Sequence, residues 1–286
     1  GTRNTREVKT PENANDEPSH PVHLDAYWID RHQVTNVKYV SFLEDALAQG
    51  MVRVEKVAIL GEFEGSWVPF YYFEPYDRLI GGRYGPERGP LPLFLHAISW
   101  DGRRFRIEPG RERQPVVDVS WFGAAAFARF HGRELPTDAQ WEKAARGTDG
   151  RRFPWGNNLP TPHHVSLGGA LRPVGSSSPQ GDSPYGVADM VSACFEWTND
   201  WFDASYYEDN LSDAPHRNPE GPFWGRAHSI RGFPDMRWMD VPAVEDPEPI
   251  ANRYEWFFEF LVGDCFADRS TTFRTVIPPG GGAGEP

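Results

Sequence analysis

The stretch YGVADMVSACFEWTNDWF, residues 185–202, sets three carboxylates, Asp189, Glu196 and Asp200, among Phe195, Trp197, Trp201 and Phe202. Charged groups avoid apolar surroundings unless something pairs with them. A metal ion, a catalytic acid or base, and plain surface charge beside a core would each account for the pattern, and these residues by themselves leave all of them open. Asp200 reads as facing solvent or capping the next segment of chain.

Other residues capable of chemistry are scattered. His20 and His23 lie three apart and His163 and His164 are adjacent, so on a strand each pair points to opposite faces and cannot chelate without a bend. Solvated histidines are the expectation, and His228 stands alone before SIRG. No glycine-rich phosphate loop and no Gly-x-Ser-x-Gly elbow occurs, which removes support for nucleotide and hydrolase chemistry. The two cysteines, Cys194 and Cys265, permit one disulfide or two separate thiols, and the sequence does not choose between them.

The elements that must position these groups are short and turn-rich. The chain has 286 residues, 14% of them aromatic, with 28 Gly and 27 Pro, which fits large side chains holding long loops. Residues 1–20 are polar, and Val22, Leu24, Ala26 and Trp28 then alternate as in a half-buried strand. Thr35 predicts a helix through NVKYVSFLEDALAQG that stops at Gly50. Residues 51–112, dense in aromatics, Pro and Gly, read as a long irregular excursion. Ser120 caps a predicted helix through WFGAAAFARFHG that ends at Gly132. Thr137 and Gln140 are spaced as a capping box for the next helix, which ends at Gly147. The tail PPGGGAGEP, 278–286, reads as disordered.

Acidic residues number 41 against 29 basic, a formal charge of -12, with a pI near 5.2. That balance argues against a nucleic-acid partner, and the arginines between 83 and 113 are interleaved with glutamates. No apolar run is long enough to span a membrane, and GTRNTREVKT does not read as a signal peptide, which leaves the compartment open.

Read in order, HLDAYWIDRHQVTNVKYVSFL, QPVVDVSWFGAAAFARFHGRELPTDAQWEKAARG, RRFPWGNN, SPYGVADMVSACFEWTNDWF, SIRG and TTFRTVI resemble the sulfatase-modifying-factor family, the formylglycine-generating-enzyme fold. The resemblance spans about residues 20–277, interrupted at 51–112 and 233–249. It implies a single α+β domain at 21–277, an elaborated C-type lectin fold with little regular structure. The family's namesake enzymes oxidise a sulfatase cysteine with two copper-binding cysteines four residues apart. Here Ala251–Arg253 best matches the family's Ala-Ala-Arg, so those positions fall on Ile250 and near Glu245 and supply no thiolate. Cys265 lies further on, before ADRS.

The family also resembles ergothioneine-type sulfoxide synthases, siderophore-chromophore maturation enzymes and retroelement-diversified ligand-binding proteins. The last group carries a Gly-Gly-Ser-Trp-like turn where this chain has Arg231, Gly232, Phe233 and Pro234. The resemblance thus implies an oxidoreductase of the non-formylglycine branch, acting on a peptide, thiol or aromatic small molecule, with its redox metal unidentified. A non-catalytic binding protein is the alternative, as is a subunit that meets a protein partner through 51–112 and 233–249.

For the opening stretch the resemblance implies a structural Ca²⁺, with Asp189 and Glu196 as its carboxylate ligands and loop carbonyls completing the set, hard oxygens that suit this ion. Ser192 and Ala193 stand where the family has Gly-Asn. A second calcium site after the PWGN turn is expected to be lost, since HHVSLGGALRPVG lacks the Asn and Asp it would need. The ligand groove is expected near the C-terminal motif, where Trp224, Trp238, Tyr254 and Trp256 gather. YEWFFEF puts Tyr254, Trp256, Phe258 and Phe260 on one strand face, fit for a flat or cationic ligand. Arg231 and Arg253 would orient a ligand carboxylate or carbonyl, with His228 beside them.

Overall fold

The computed structural model describes residues 20–73, 97–158, 160–164, 171–203, 205–210, 215–232 and 271–277. Trp238, Tyr254, Trp256, Arg253 and Cys265, the 233–249 insertion, nearly all of the polar 1–20 segment and the 278–286 tail lie outside them.

Three helices form where their caps predict. In α1, Asn36–Ala48, the residues Asn36, Tyr39, Phe42, Leu43 and Ala46 make one buried face at helical spacing. Thr35 sits at its N-cap in extended conformation without a side-chain cap bond. Gly50, at φ 71°, turns the chain out of the helix. In α2, Trp121–Phe130, Ser120 Oγ accepts from the Gly123 N–H. In α3, Asp138–Arg146, both bonds of the capping box form: Gln140 N donates to Thr137 Oγ1 at 3.2 Å and Thr137 N to Gln140 Oε1 at 2.9 Å.

The strand expected at 22–28 divides in two. β1, Val22–His23, pairs parallel with β9, His216–Arg217, and β2, Trp28–Ile29, pairs antiparallel with β12, Val276–Ile277. Within the excursion at 51–112, the described residues 51–73 and 97–112 are more regular than an irregular loop, and 74–96 lie outside the described residues. β3, Val52–Val54, β4, Ala58–Phe63, and β5, Ser66–Tyr72, form an antiparallel meander, and β6, Ile98–Trp100, hairpins with β7, Phe105–Ile107. Glu64 and Gly65, at φ 50° and 81°, make the two-residue turn between β4 and β5.

This meander belongs to the core. Phe63, Phe70, Tyr71, Ile98 and Phe105 pack in one cluster with Tyr39, Phe42, Leu43, Trp121, Phe127, Trp197, Ile230 and Phe273. Each such side chain contributes about 1.5–3 kcal/mol by leaving water. α2 lies so close to β5 that a Cβ on Gly123 would stand 2.2 Å from the Phe70 carbonyl oxygen. A smaller cluster joins Trp141, Ala144 and Ala145 of α3 to Val187, Met190 and Val191.

At the centre β8, Phe195–Trp201, is flanked by β10, His228–Arg231, antiparallel, and β11, Thr271–Thr272, parallel. Arg231 and Thr272 both fall opposite Glu196. A short α4, Tyr206–Asp209, follows β8. No helix among the described residues is long and apolar enough to cross a membrane.

Candidate functional site

The carboxylates of the opening stretch are held by arginines and backbone N–H groups. Glu196 is 1% exposed. Its Oε1 accepts from Gln33 Nε2 at 2.9 Å and Arg274 Nη2 at 2.7 Å, and its Oε2 accepts from Trp141 Nε1 at 2.9 Å and Arg274 Nε at 2.6 Å. Arg274, in the turn between β11 and β12, is fully buried. Its remaining N–H groups reach the carbonyls of Asp30 at 3.1 Å, Arg31 at 3.2 Å and Ala188 at 3.0 Å. Burial pulls the guanidinium's pKa down, but Glu196, then Asp189 and Asp30, hold it above the ordinary arginine value. One bidentate ion pair thus ties the C-terminal turn, β8, α3 and the segment before α1 together.

That donor set does not fit the calcium ion the resemblance implies. The lone pairs of both Glu196 oxygens already accept hydrogen bonds, and a guanidinium supplies the opposite charge. Asp189 sits apart in a left-handed conformation, φ 59°, where its Oδ2 accepts from Gly175 N at 2.6 Å and lies 3.7 Å from His32 Nδ1. Among the described residues no group of three or more His, Cys, Asp and Glu is arranged to hold a metal ion.

Asp200 corrects another expectation. It is 3% exposed, and its Oδ2 accepts from Asp138 N at 2.7 Å, an acceptor placed at the positive N-terminus of α3.

Of the expected groove residues the structure describes Trp224, Arg231 and His228; Trp224 is exposed, and the other two are internal. Arg231 is fully buried, with Nη1 3.2 Å from Asp138 Oδ1 and Nη2 2.8 Å from Glu142 Oε2, and its guanidinium lies 5.3 Å from the Trp141 ring centroid. Asp138, Trp141 and Glu142 share one face of α3 by their spacing. That face fastens the helix to β10 through Arg231 and to β8 through Trp141 and Glu196. Both terminal nitrogens of Arg231 are thereby engaged by α3. His228 is buried between two indoles, its centroid 3.7 Å from Trp121 at 10° and 3.9 Å from Trp201 at 26°, so neither ring face is open to a groove.

Of the paired histidines, His23 and His163 are exposed as expected, whereas His20 and His164 are half-buried against aromatic rings. His164 stacks on Trp155 at 4.7 Å and 2°, and His20 lies 4.2 Å from the Tyr207 ring and 5.5 Å from His216. Cys194 is 1% exposed and lines a recess of about 30 Å³ with Gln33, Ser176, Asp189 and Ser192.

Arg274, Gln33, Asp138, Trp141 and Glu142 were not anticipated as partners. The available signal was an arginine inside the apolar run TTFRTVI and a buried acid in FEW, two lone opposite charges in core-like segments.

The matches to known proteins take in most of this framework. Residues 1–244 match the model of the sulfatase-modifying factor enzyme 1-like domain. The chain is 34% identical over 237 residues to the formylglycine-generating enzyme of Streptomyces coelicolor, covering 75% of this chain and 69% of that one. It is 32% identical over 192 residues to the hercynine oxygenase of Mycolicibacterium thermoresistibile, 65% of this chain but 38% of the oxygenase, so it spans well under half that protein's length. The solved structure of PvdO from Pseudomonas aeruginosa is similar in fold, with a TM-score of 0.56 and 19% identity, over 95% of this chain and 87% of that one. Matching the family's model over residues 1–244, the chain belongs to the sulfatase-modifying factor enzyme 1-like domain family.

Proposed function

We propose that this chain is an oxidoreductase of the family's branch that does not make formylglycine, acting on a peptide, a thiol or an aromatic small molecule. The observation that supports this reading is the joint similarity to a formylglycine-generating enzyme and a hercynine oxygenase in a chain whose two cysteines stand at 194 and 265. Copper held between thiolates four residues apart has no counterpart here, so the chemistry would run without that pair. The test is oxygen uptake by the full chain, as purified and after supplying iron or copper, with a cysteine peptide, a free thiol and a phenolic or indolic compound in turn. Uptake with a matching mass change in one substrate, retained in Cys194→Ser/Cys265→Ser, is expected. No uptake with any of the three overturns the reading.

A second reading, ligand binding without turnover, draws on a specific observation. Trp224, one of the aromatics expected at the ligand groove, stands 75% exposed beside Phe223. Saturable ligand capture with no oxygen uptake would favour it.

A further inference from the structure

We infer that the loop before β10 builds a binding site for planar aromatic carboxylates, with Trp224 and Phe223 as the stacking surface and Arg226 as the anion partner. The loop is pinned to the end of β8. A Cβ on Gly221 would stand 2.7 Å from Asp200 Cβ, one on Gly225 would stand 2.9 Å from Trp201 Cβ, and Phe202 N donates to the Ala227 carbonyl at 2.8 Å. Only glycine permits that approach, and Gly221 also sits at φ 77°.

Held at both ends, the loop turns its two large rings outward: Phe223 is 99% exposed and Trp224 75%. Exposing two adjacent aromatics is unfavourable in water unless something covers them. They border a groove of about 420 Å³, floored by Phe202, with Asp203 and Arg226 on its rim. That volume is the size of a small-molecule site.

The charges set the ligand's polarity. Among the described residues Arg226 has neither a hydrogen bond nor an ion pair, and it does not pair with Asp203 although both line the groove. Asp203 Oδ1 already accepts from Ser205 N at 2.8 Å and Ser205 Oγ at 2.9 Å. The exposed guanidinium can take a carboxylate through two parallel N–H bonds while the ligand ring stacks on the indole. The Asp203 carboxylate repels a second negative charge and so favours a monoanion. This site stands independently of the oxidoreductase reading, since it requires binding alone.

The probe is naphthalene-2-carboxylate, compared with the uncharged naphthalene-2-carboxamide, followed by saturation-transfer NMR and calorimetry on the full chain. The carboxylate should bind saturably. Arg226→Gln should weaken it about tenfold, the scale of one charge-assisted bond, down to the level at which wild type binds the carboxamide. Trp224→Ala should remove binding of both. Both side chains are exposed, so neither variant threatens the fold. Absence of saturation, equal affinity for carboxylate and carboxamide, affinity indifferent to both substitutions, or a concentration-dependent dimer that Trp224→Ala dissolves would each overturn the inference.

Discussion

Replacing Arg274 by Met is the sharpest perturbation of the framework, because the stem keeps its volume while the fork disappears. Glu196 would stay buried with only Gln33 and Trp141 donating, and the carbonyls of Asp30 and Ala188 would lose the guanidinium N–H groups, while that of Arg31 keeps the Ala188 N–H at 2.9 Å. Removing one side of a buried ion pair costs about 3–5 kcal/mol, chiefly because the surviving charge is left uncompensated. At about 2 cal/mol/K of unfolding entropy per residue, a chain of this length loses about 5–8 °C of melting temperature for that cost. Differential scanning calorimetry at neutral pH reads the shift directly. The double variant Glu196→Gln/Arg274→Met should melt above Arg274→Met alone, since the orphaned charge is gone and the two changes are coupled. Arg274→Lys should fall between, for an ammonium cannot reproduce the fork. A wild-type melting temperature in Arg274→Met, or strict additivity in the double variant, would refute the reasoning.

Two further outcomes rest on the packing and charges. Gly123→Ala forces a methyl onto the Phe70 carbonyl and the Tyr39 hydroxyl, 2.2 and 2.6 Å away, and should cost at least about 2 kcal/mol by overpacking, measured by chemical denaturation. For Glu142, burial raises the carboxyl's pKa, but Arg231 and Arg146 outweigh burial and hold it below its ordinary value of 4.5. A carboxylate lowered in the folded state contributes stability above the unfolded pKa and loses it as pH falls through the folded value. Glu142→Gln should therefore melt lower than wild type at neutral pH, with the two curves converging below about pH 4.5. A gap that stays constant into acid would contradict that pairing.

The helices were legible because their signals are local. Ser120, the Thr137–Gln140 box and the glycines at 50, 132 and 147 act within a few residues of the ends they set. The meander at 51–72 was hidden because Pro and Gly density masked a plain hairpin signal, the Glu64–Gly65 turn between β-rich segments. The site was half legible. A buried carboxylate in FEWTNDW demanded a cation, but sequence does not say whether an ion or a guanidinium answers, and Arg274 lies 78 residues away. The same distance problem turned Arg231 from an expected ligand contact into a fastener, since its partners Asp138 and Glu142 sit on a helix 89 or more residues earlier. The stacking of His228 on Trp121 and Trp201 was not legible, because it depends on tertiary contact that no spacing rule reports.

Glu196 is neutralised by Arg274 through two short N–H bonds, which leaves no charge for a bound ion to balance. Melting the purified chain before and after removing divalent ions with a calcium-selective chelator tests this most directly. The predicted result is an unchanged melting temperature, with no recovery effect when calcium is returned. A fall of several degrees on chelation, restored by calcium and abolished in Glu196→Gln, would contradict it.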